Sequence, residues 1–203
     1  MLQIPADESS IQNTFKSRFL NISKFIPGTI WITGITASGK TTLGQRLYDN
    51  LVELGIENIE FYDGDLLRKR LDRTYGHSME ERKKVFAKML EIIKESDVQG
   101  NVAIVSTVSH KKYMREVARN SLQNFMEVYL KCPANVCSQR DVKGHYVKAI
   151  NGEYELFPGI TESYEESINT PELVLDTSLL SIEECSARLL TQTLKSFGTT
   201  PKN

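Results

Sequence analysis

The sequence predicts an α/β domain around a mostly parallel, five-stranded sheet with helices on both faces. Three observations lead to this fold class: β-branched apolar segments alternate with helical patterns, a glycine-rich loop follows the first such segment, and 203 residues suit one domain with its own core. Strands are expected at 29–33, 58–62, 102–106, 125–130 and 172–175. Because helices separate successive strands, we expect right-handed crossovers between parallel strands.

Helical spacing accounts for the segments between these strands. Leu43, Leu47, Leu51 and Leu54 recur at the period of a helix directly after the glycine-rich loop. Further helices are expected from Leu66, over 79–98 before Gly100, and over 182–194.

Two segments are expected in the chain, an N-terminal extension at 1–27 and the domain proper at 28–203. Within the extension, residues 9–20 carry Ile11, Phe15 and Phe19 at helical spacing, which predicts a short amphipathic helix. Pro27-Gly28 then breaks the chain before the first strand.

Composition argues against several classes of protein. The net charge of −1 and pI of about 6.3 give no general attraction to nucleic acid or to anionic membranes. No apolar segment approaches the length of a membrane span, and the N-terminus lacks a secretory pattern. Cys132, Cys137 and Cys185 are odd in number and lack metal-ligand spacing, so reduced, buried thiols in a cytoplasmic protein are expected.

The glycine-rich loop carries the strongest chemical signal. Gly34–Thr41 fits the G-x-x-x-x-G-K-[ST] phosphate-binding pattern and lies between a strand and a helix, as that motif requires. Backbone N–H groups and the helix N-terminus would bind phosphate oxygens of ATP, Lys40 would reach the β and γ phosphates, and Thr41 would ligate Mg²⁺. The expected ATP-binding residues of this loop are Gly34, Thr36, Ala37, Ser38, Gly39, Lys40, Thr41 and Thr42.

Polar residues after the second and third strands should lie at the same sheet edge, where ligands bind in such folds. Of the pair Asp63 and Asp65, one carboxylate could hold Mg²⁺ or its waters and the other accept a proton from an attacking hydroxyl. Asp63 is favoured for activating the hydroxyl and is also a candidate metal ligand, whereas Asp65 is expected to support the metal or the substrate. A helix-capping turn is the alternative. Ser109 is either a ligand contact or a helix cap, and His110 is interpreted as a solvated loop residue.

A long irregular segment at about 140–165 combines cations, glycines and aromatic residues, which is typical of functional loops. A mobile lid is expected, with Arg140 and Lys143 closing over the triphosphate. Arg140 is therefore expected to be both catalytic and ATP-binding. The alternative for the whole segment is a solvated surface loop.

From about residue 28 to 194 the chain resembles the adenylylsulfate kinase family, P-loop kinases that phosphorylate the 3′-hydroxyl of adenylyl sulfate. The matching segments are Ile30–Gly34 leading into Ser38–Thr42, Asp63-Gly64-Asp65 with Arg68, and Arg140–Gly144 with Tyr146. The resemblance implies catalytic roles for Lys40, Asp63, Asp65, Arg140 and Lys143. It implies acceptor contacts for Asp65, Arg68, His77, Arg82, Val108, Ser109, Lys143 and Phe157, the last stacking on a base.

Departures from the family pattern fall mainly on the acceptor side. His77 stands where an aromatic residue is usual, Val85 replaces an asparagine, and Ile150 replaces a basic residue. Adenylyl sulfate is the leading acceptor, and the 3′-hydroxyl of another nucleotide conjugate, such as a cytidine diphosphate derivative, is the alternative. A nucleotide-binding regulator without turnover is a third interpretation. No nucleic-acid or membrane partner is expected, and because many family members are dimers a homodimer is left open.

Overall fold

A computed structural model describes residues 24–71, 78–167 and 171–199. Its main sheet has the strands β2 (Gly28–Thr33), β3 (Ile59–Asp63), β4 (Val102–Ser106), β5 (Phe125–Lys131) and β6 (Leu173–Asp176). They lie in the order β3-β4-β2-β5-β6 and every pairing is parallel. The predicted five-stranded parallel sheet is confirmed, with strand ends that differ by at most a residue from the expected ones.

Seven helices lie between or after these strands in the described part of the chain. They are α1 (Lys40–Glu53), α2 (Gly64–Arg70), α3 (Met79–Val98), α4 (Lys112–Ser121), α5 (Ala134–Gln139), α6 (His145–Ile150) and α7 (Ile182–Phe197). α3 and α7 begin with capping boxes, in which Ser78 pairs with Glu81 and Ser181 with Glu184. These reciprocal bonds fix where the two longest helices start.

The core is divided by the sheet into two layers. Ile30 and Ile32 of β2 pack with α1 and α7, whereas the intervening Trp31 packs with α3 and α4 on the opposite face. Alternation along a strand sends successive side chains to opposite faces. Both faces of β2 are buried, as expected for a central parallel strand.

A smaller pair of strands joins the two ends of the described chain. β1 (Lys24–Phe25) pairs antiparallel with β7 (Gly198–Thr199), and the Phe25 ring stacks on Phe197 with centroids 5.9 Å apart. The end of the predicted extension therefore packs on the domain, and the amphipathic helix predicted at 9–20 lies outside the described residues. Among the described helices, none has the length and apolarity needed to cross a membrane.

Candidate active site

The phosphate loop connects β2 to α1 as predicted. Gly34 has φ of 151°, and a Cβ there would lie 2.6 Å from the Leu130 carbonyl oxygen, so no other residue fits without displacing the backbone. Gly39 adopts a left-handed φ of 98° immediately before the helix begins at Lys40. The loop thus turns tightly and directs the N-terminus of α1 toward the sheet edge.

Lys40 and Thr41 lie at the start of α1. The Lys40 ammonium donates to the Ile35 carbonyl at 2.7 Å, and burial lowers the pKa of Lys40 to about 8 against the opposing charges of Asp65 and Asp63. The Thr41 hydroxyl donates to Asp63 Oδ2 at 2.6 Å. The first turn of α1 is therefore linked directly to the end of β3.

Asp63 forms the helix cap considered as the alternative from the sequence, and it also contacts the phosphate loop. Its Oδ1 caps α2 by accepting from the N–H groups of Asp65 and Leu66 at 3.0 and 3.1 Å, while its Oδ2 binds Thr41. The side chain is buried at the cavity edge. Its carboxylate is held rigidly, because both oxygens accept hydrogen bonds.

Asp65 is more exposed and faces the lid. Its Oδ2 lies 3.1 Å from Lys143 Nζ. Partial burial opposes the charge of Asp65, but the hydrogen bond and charge of Lys143, together with Lys40, lower the pKa of this carboxyl below its usual value. The side chain is ionised at neutral pH.

The two lid cations contact different parts of the site. The Arg140 guanidinium donates to the Thr177 carbonyl at 2.9 Å, and the Thr177 hydroxyl donates to the Ser38 carbonyl at 3.1 Å, so Arg140 lies beside the phosphate loop. Lys143 instead pairs with Asp65.

The alternative of a fully solvated surface loop is wrong for the lid's aromatic residues. Tyr146 and Phe157 are buried with Ile35 and Cys137, which anchors the lid to the phosphate loop. Phe157 stacks on Tyr154 at 5.7 Å and lines the cavity. All three cysteines are free and buried, as expected.

The loop after β4 departs from two expectations. Ser109 is buried, has a φ of 34°, and does not cap α4, which begins after Lys111 without a side-chain cap. Within the described residues, the Ser109 hydroxyl has no hydrogen-bond partner. The interpretation of His110 as a solvated residue is wrong: it is 1% exposed, and its Nε2 lies 2.7 Å from Glu162 Oε2. The lid's far end covers this histidine from solvent.

Two further cations face the acceptor end. Burial and then the positive charge of Arg68 lower the pKa of Arg82, which donates to the Leu156 carbonyl at 2.8 Å. Arg68 and Arg82 both line the cavity, so this end carries two guanidinium groups that suit an anionic ligand. The neighbouring wall is apolar and consists of Val85, Phe86, Met89 and Met114.

One cavity of about 830 Å³ contains nearly all the predicted residues. Its lining includes Thr36, Ala37, Ser38, Gly39, Lys40, Thr41, Thr42, Asp63, Asp65, Arg68, Arg82, Val108, Ser109, Arg140, Lys143 and Phe157. Gly34 shapes the loop from behind, and His77 lies outside the described residues. Of the departures, Val85 lines the cavity, whereas Ile150 is 68% exposed and is not part of its lining.

Sequence reasoning missed one wall of this cavity. Thr177, Leu180, Ile182 and Cys185 lie after β6 and face the phosphate loop. They sit at the carboxyl end of a parallel strand, so the rule that pointed to Asp63 and Ser109 would have found them too.

Comparison with known proteins agrees with this geometry. The model of the family described as Adenylylsulphate kinase matches residues 26–176. The chain belongs to this family. An adenylyl-sulfate kinase of Bacillus pumilus is 40% identical over 165 residues, covering 80% of this chain and 83% of the relative. A probable adenylyl-sulfate kinase of Archaeoglobus fulgidus is 42% identical over 148 residues, covering 73% and 94%.

A solved member of the family has the same fold. The Mycobacterium tuberculosis APS kinase, determined in complex with AMPPNP and APS, superposes with a TM-score of 0.74 at 31% identity, covering 84% of this chain and 98% of that one. As an adenylylsulphate kinase family member with an intact phosphate loop, the protein is a nucleotide-binding phosphotransferase whose acceptor group is an alcohol. Membership in this family, together with the intact carboxylates Asp63 and Asp65, argues against a nucleotide-binding regulator that does not turn over a substrate.

Proposed function

We propose that the protein transfers the γ-phosphoryl group of ATP to the 3′-hydroxyl of adenylyl sulfate, giving 3′-phosphoadenylyl sulfate. One observation carries this proposal: a single cavity runs from the phosphate loop past Asp63 and Asp65 to the arginine pair Arg68 and Arg82. Donor phosphates and an anionic acceptor can therefore meet at the two carboxylates. Phosphoryl transfer depends mainly on such positioning and charge stabilisation.

The residues at the phosphate end fit a magnesium ion. Mg²⁺ prefers oxygen ligands and is usually bound through one or two protein groups together with phosphates and water. The Thr41 hydroxyl and the Asp63 carboxylate, 2.6 Å apart, offer these oxygens beside Lys40. When bound, Mg²⁺ would neutralise charge on the β and γ phosphates, and Thr41 with Asp63 would hold it.

The contacts favour a division of work between the two aspartates. Asp63 already accepts three hydrogen bonds and is suited to orienting Thr41 and supporting the metal, rather than to taking up a proton as first expected. Asp65 is ionised and accessible from the cavity, and its partner Lys143 is an exposed lid side chain. We assign the activation of the acceptor hydroxyl to Asp65.

The lid cations take separate roles in this proposal. Arg140, beside the loop that contains Ser38, would neutralise charge on the donor phosphates. When the lid closes, Lys143 would break its ion pair with Asp65 and contact the transferred phosphoryl group instead. Stacking of Phe157 on a base remains part of the proposal, since its ring lines the cavity beside Tyr154.

The cytidine diphosphate alternative is not favoured, because relatives that match over most of the chain are named adenylyl-sulfate kinases. Val85 is a departure that lines the cavity and so bears on acceptor choice. A cytoplasmic enzyme is proposed from its three reduced, buried cysteines. A homodimer remains a prediction, which light scattering at two protein concentrations would test.

The proposal is tested by coupled ADP release with ATP, Mg²⁺ and a panel of acceptors. The panel contains adenylyl sulfate, cytidine and uridine diphosphate conjugates, and free nucleosides. Adenylyl sulfate should give a kcat/KM at least about 10²-fold above the others, within the range of about 10⁴–10⁸ M⁻¹s⁻¹ typical of natural substrates. A higher value for a cytidine conjugate would overturn the assignment.

A further inference from the structure

Arg115 is a buried charge that the proposed chemistry does not use. It lies on α4, is 1% exposed, and pairs at 3.0 Å with Glu127, which is itself 3% exposed in the middle of β5. A buried ion pair costs desolvation and often adds little stability compared with apolar residues of similar size. Stability alone therefore does not explain why Arg115 is buried, and its contacts other than Glu127 have to be considered.

Those contacts lead to the two segments that surround the acceptor. Arg115 Nη1 donates to the Ser109 carbonyl at 2.5 Å, in the acceptor loop (residues 107–110). Its Nη2 donates to the Glu165 carbonyl and its Nε to the Ser167 hydroxyl, both in the return segment of the lid (residues 161–167). One guanidinium thus bridges the acceptor loop, the lid and the sheet.

The bridged carbonyl belongs to a conformation that needs support. Ser109 has a φ of 34°, in a region that non-glycine residues seldom occupy, and such strain persists where neighbouring contacts hold it. A planar guanidinium donates in fixed directions, so it can fix two carbonyls relative to each other as a lysine cannot.

The lid side is fixed by the same group. The Arg115 guanidinium lies 4.8 Å from the centre of the Tyr164 ring, and the Tyr164 hydroxyl is hydrogen bonded to Thr33. Thr33 in turn donates to the Val108 carbonyl at 2.7 Å. The acceptor loop is therefore held to the lid by two routes, one through Arg115 and one through the end of β2.

We propose that Arg115 is a positioning residue for the acceptor: it holds the acceptor loop and the return segment of the lid in a fixed position relative to each other. This inference rests on the proposed function. Arg115 lies outside the cavity lining, yet in this proposal it places Ser109 and Val108 against the acceptor nucleotide. ATP binding is left to the phosphate loop.

Arg119 provides a matched control. It lies one turn further along α4, is also within 3.5 Å of Glu127, and stacks on Phe125 at 4.9 Å. Its other carboxylate partner is Glu172, bound at 2.6 and 2.9 Å, and its described contacts do not include the acceptor loop or the return segment. Arg119→Met therefore removes a similar cation from the same network without touching the site.

The test compares wild type, Arg115→Lys, Arg115→Met, Arg115→Met with Glu127→Gln, and Arg119→Met. The double variant also neutralises the buried Glu127 carboxylate, which loses its closest cation in Arg115→Met and could then prevent folding. Thermal unfolding establishes which variants fold, steady-state kinetics give the KM and kcat for adenylyl sulfate, and calorimetry with AMPPNP gives the nucleotide Kd.

Folded Arg115 variants should lose about 10²-fold in kcat/KM for adenylyl sulfate, as expected for a misplacement of about 1 Å, while the AMPPNP Kd changes less than about twofold. Arg119→Met should keep wild-type kinetics whatever its Tm. A folded double variant with wild-type kcat/KM, or equal losses in both arginine variants, would overturn the proposal. Wild-type enzyme inactive on adenylyl sulfate would instead refute the proposed function, and the AMPPNP data would remain interpretable.

Discussion

The phosphate end and the acceptor end of the cavity are built in different ways. At the phosphate end, Gly34–Thr41 forms one short continuous loop whose backbone makes the site, and its link to Asp63 spans 22 positions. At the acceptor end, side chains come from distant segments: Arg82 contacts Leu156 across 74 positions, and Lys143 contacts Asp65 across 78. The phosphate loop is therefore local in sequence, although Arg140 and Thr177 reach it from distant positions, whereas the acceptor end exists only after folding.

This difference has a consequence for function. A backbone site accepts few substitutions, because Gly34 has no room for a Cβ. A site made of side chains on α3, α4 and the lid can change one residue at a time, as Val85 illustrates. We therefore expect changes at the phosphate end to abolish transfer whatever the acceptor, and changes at the acceptor end to alter selectivity.

The largest effect is expected from Lys40→Ala. Lys40 is half-buried beside the loop, and its charge would stabilise phosphate oxygens throughout the reaction. Transfer measured by ADP release should fall by about 10³-fold with every acceptor in the panel, while the Tm stays near that of wild type. If near-wild-type turnover persisted at saturating ATP, the phosphate-end assignment would be wrong.

The next largest effect is expected from replacing Asp65 or Asp63, which lie where the phosphate end meets the acceptor end. Asp65→Asn should lower kcat by about 10²-fold and leave ATP affinity unchanged, because the amide cannot accept the hydroxyl proton. Asp63→Asn should instead raise the concentration of Mg²⁺ needed for half-maximal rate, since its Oδ2 binds Thr41. Reversed phenotypes in a magnesium titration would exchange the two roles.

A change of about tenfold is expected from Val85→Asn at the acceptor wall. Val85 lines the cavity between Arg82 and Met89, and an asparagine there would restore the polar group usual in the family. The kcat/KM for adenylyl sulfate should rise, and the KM for ATP should not. Ile150→Arg is the control, since Ile150 is exposed and outside the cavity lining. An equal effect of both substitutions would show that the wall does not select the acceptor.

The same contrast explains what the sequence could predict. The parallel sheet, the phosphate loop and the Asp63 turn follow from strand alternation and from residues adjacent in the chain. The burial of His110 could not be predicted, because its cover is Glu162, 52 positions away. Glu127 was a signal that was overlooked: a carboxylate within an apolar strand requires a buried cation, and Arg115 beside Met114 and Ala118 on α4 supplies it.

ATP affinity should fall at alkaline pH because Lys40 loses its proton. Burial lowers the pKa of Lys40 to about 8 in the nucleotide-free protein, and phosphate oxygens favour the protonated form. Binding is then coupled to proton uptake, so the Kd for AMPPNP should rise above pH 8, by up to about tenfold per pH unit. Lys40→Arg remains charged over this range and should show a flat profile. A wild-type Kd that is constant from pH 7 to 9.5 would contradict the prediction.

The smallest effect is expected at the acceptor end and at acidic pH. Burial lowers the pKa of His110 below its usual 6.5, although Glu162 opposes this shift, and Arg82 and Lys111 add to it. The unfolded chain therefore binds a proton at His110 more readily than the folded protein, so stability should fall as pH drops from 6.5 toward the lowered pKa. His110→Gln removes this titration but leaves the other two histidines in place. Urea unfolding of both proteins between pH 5 and 7.5 should give a steeper pH dependence for wild type, and identical slopes would show that His110 keeps its ordinary pKa in the folded state.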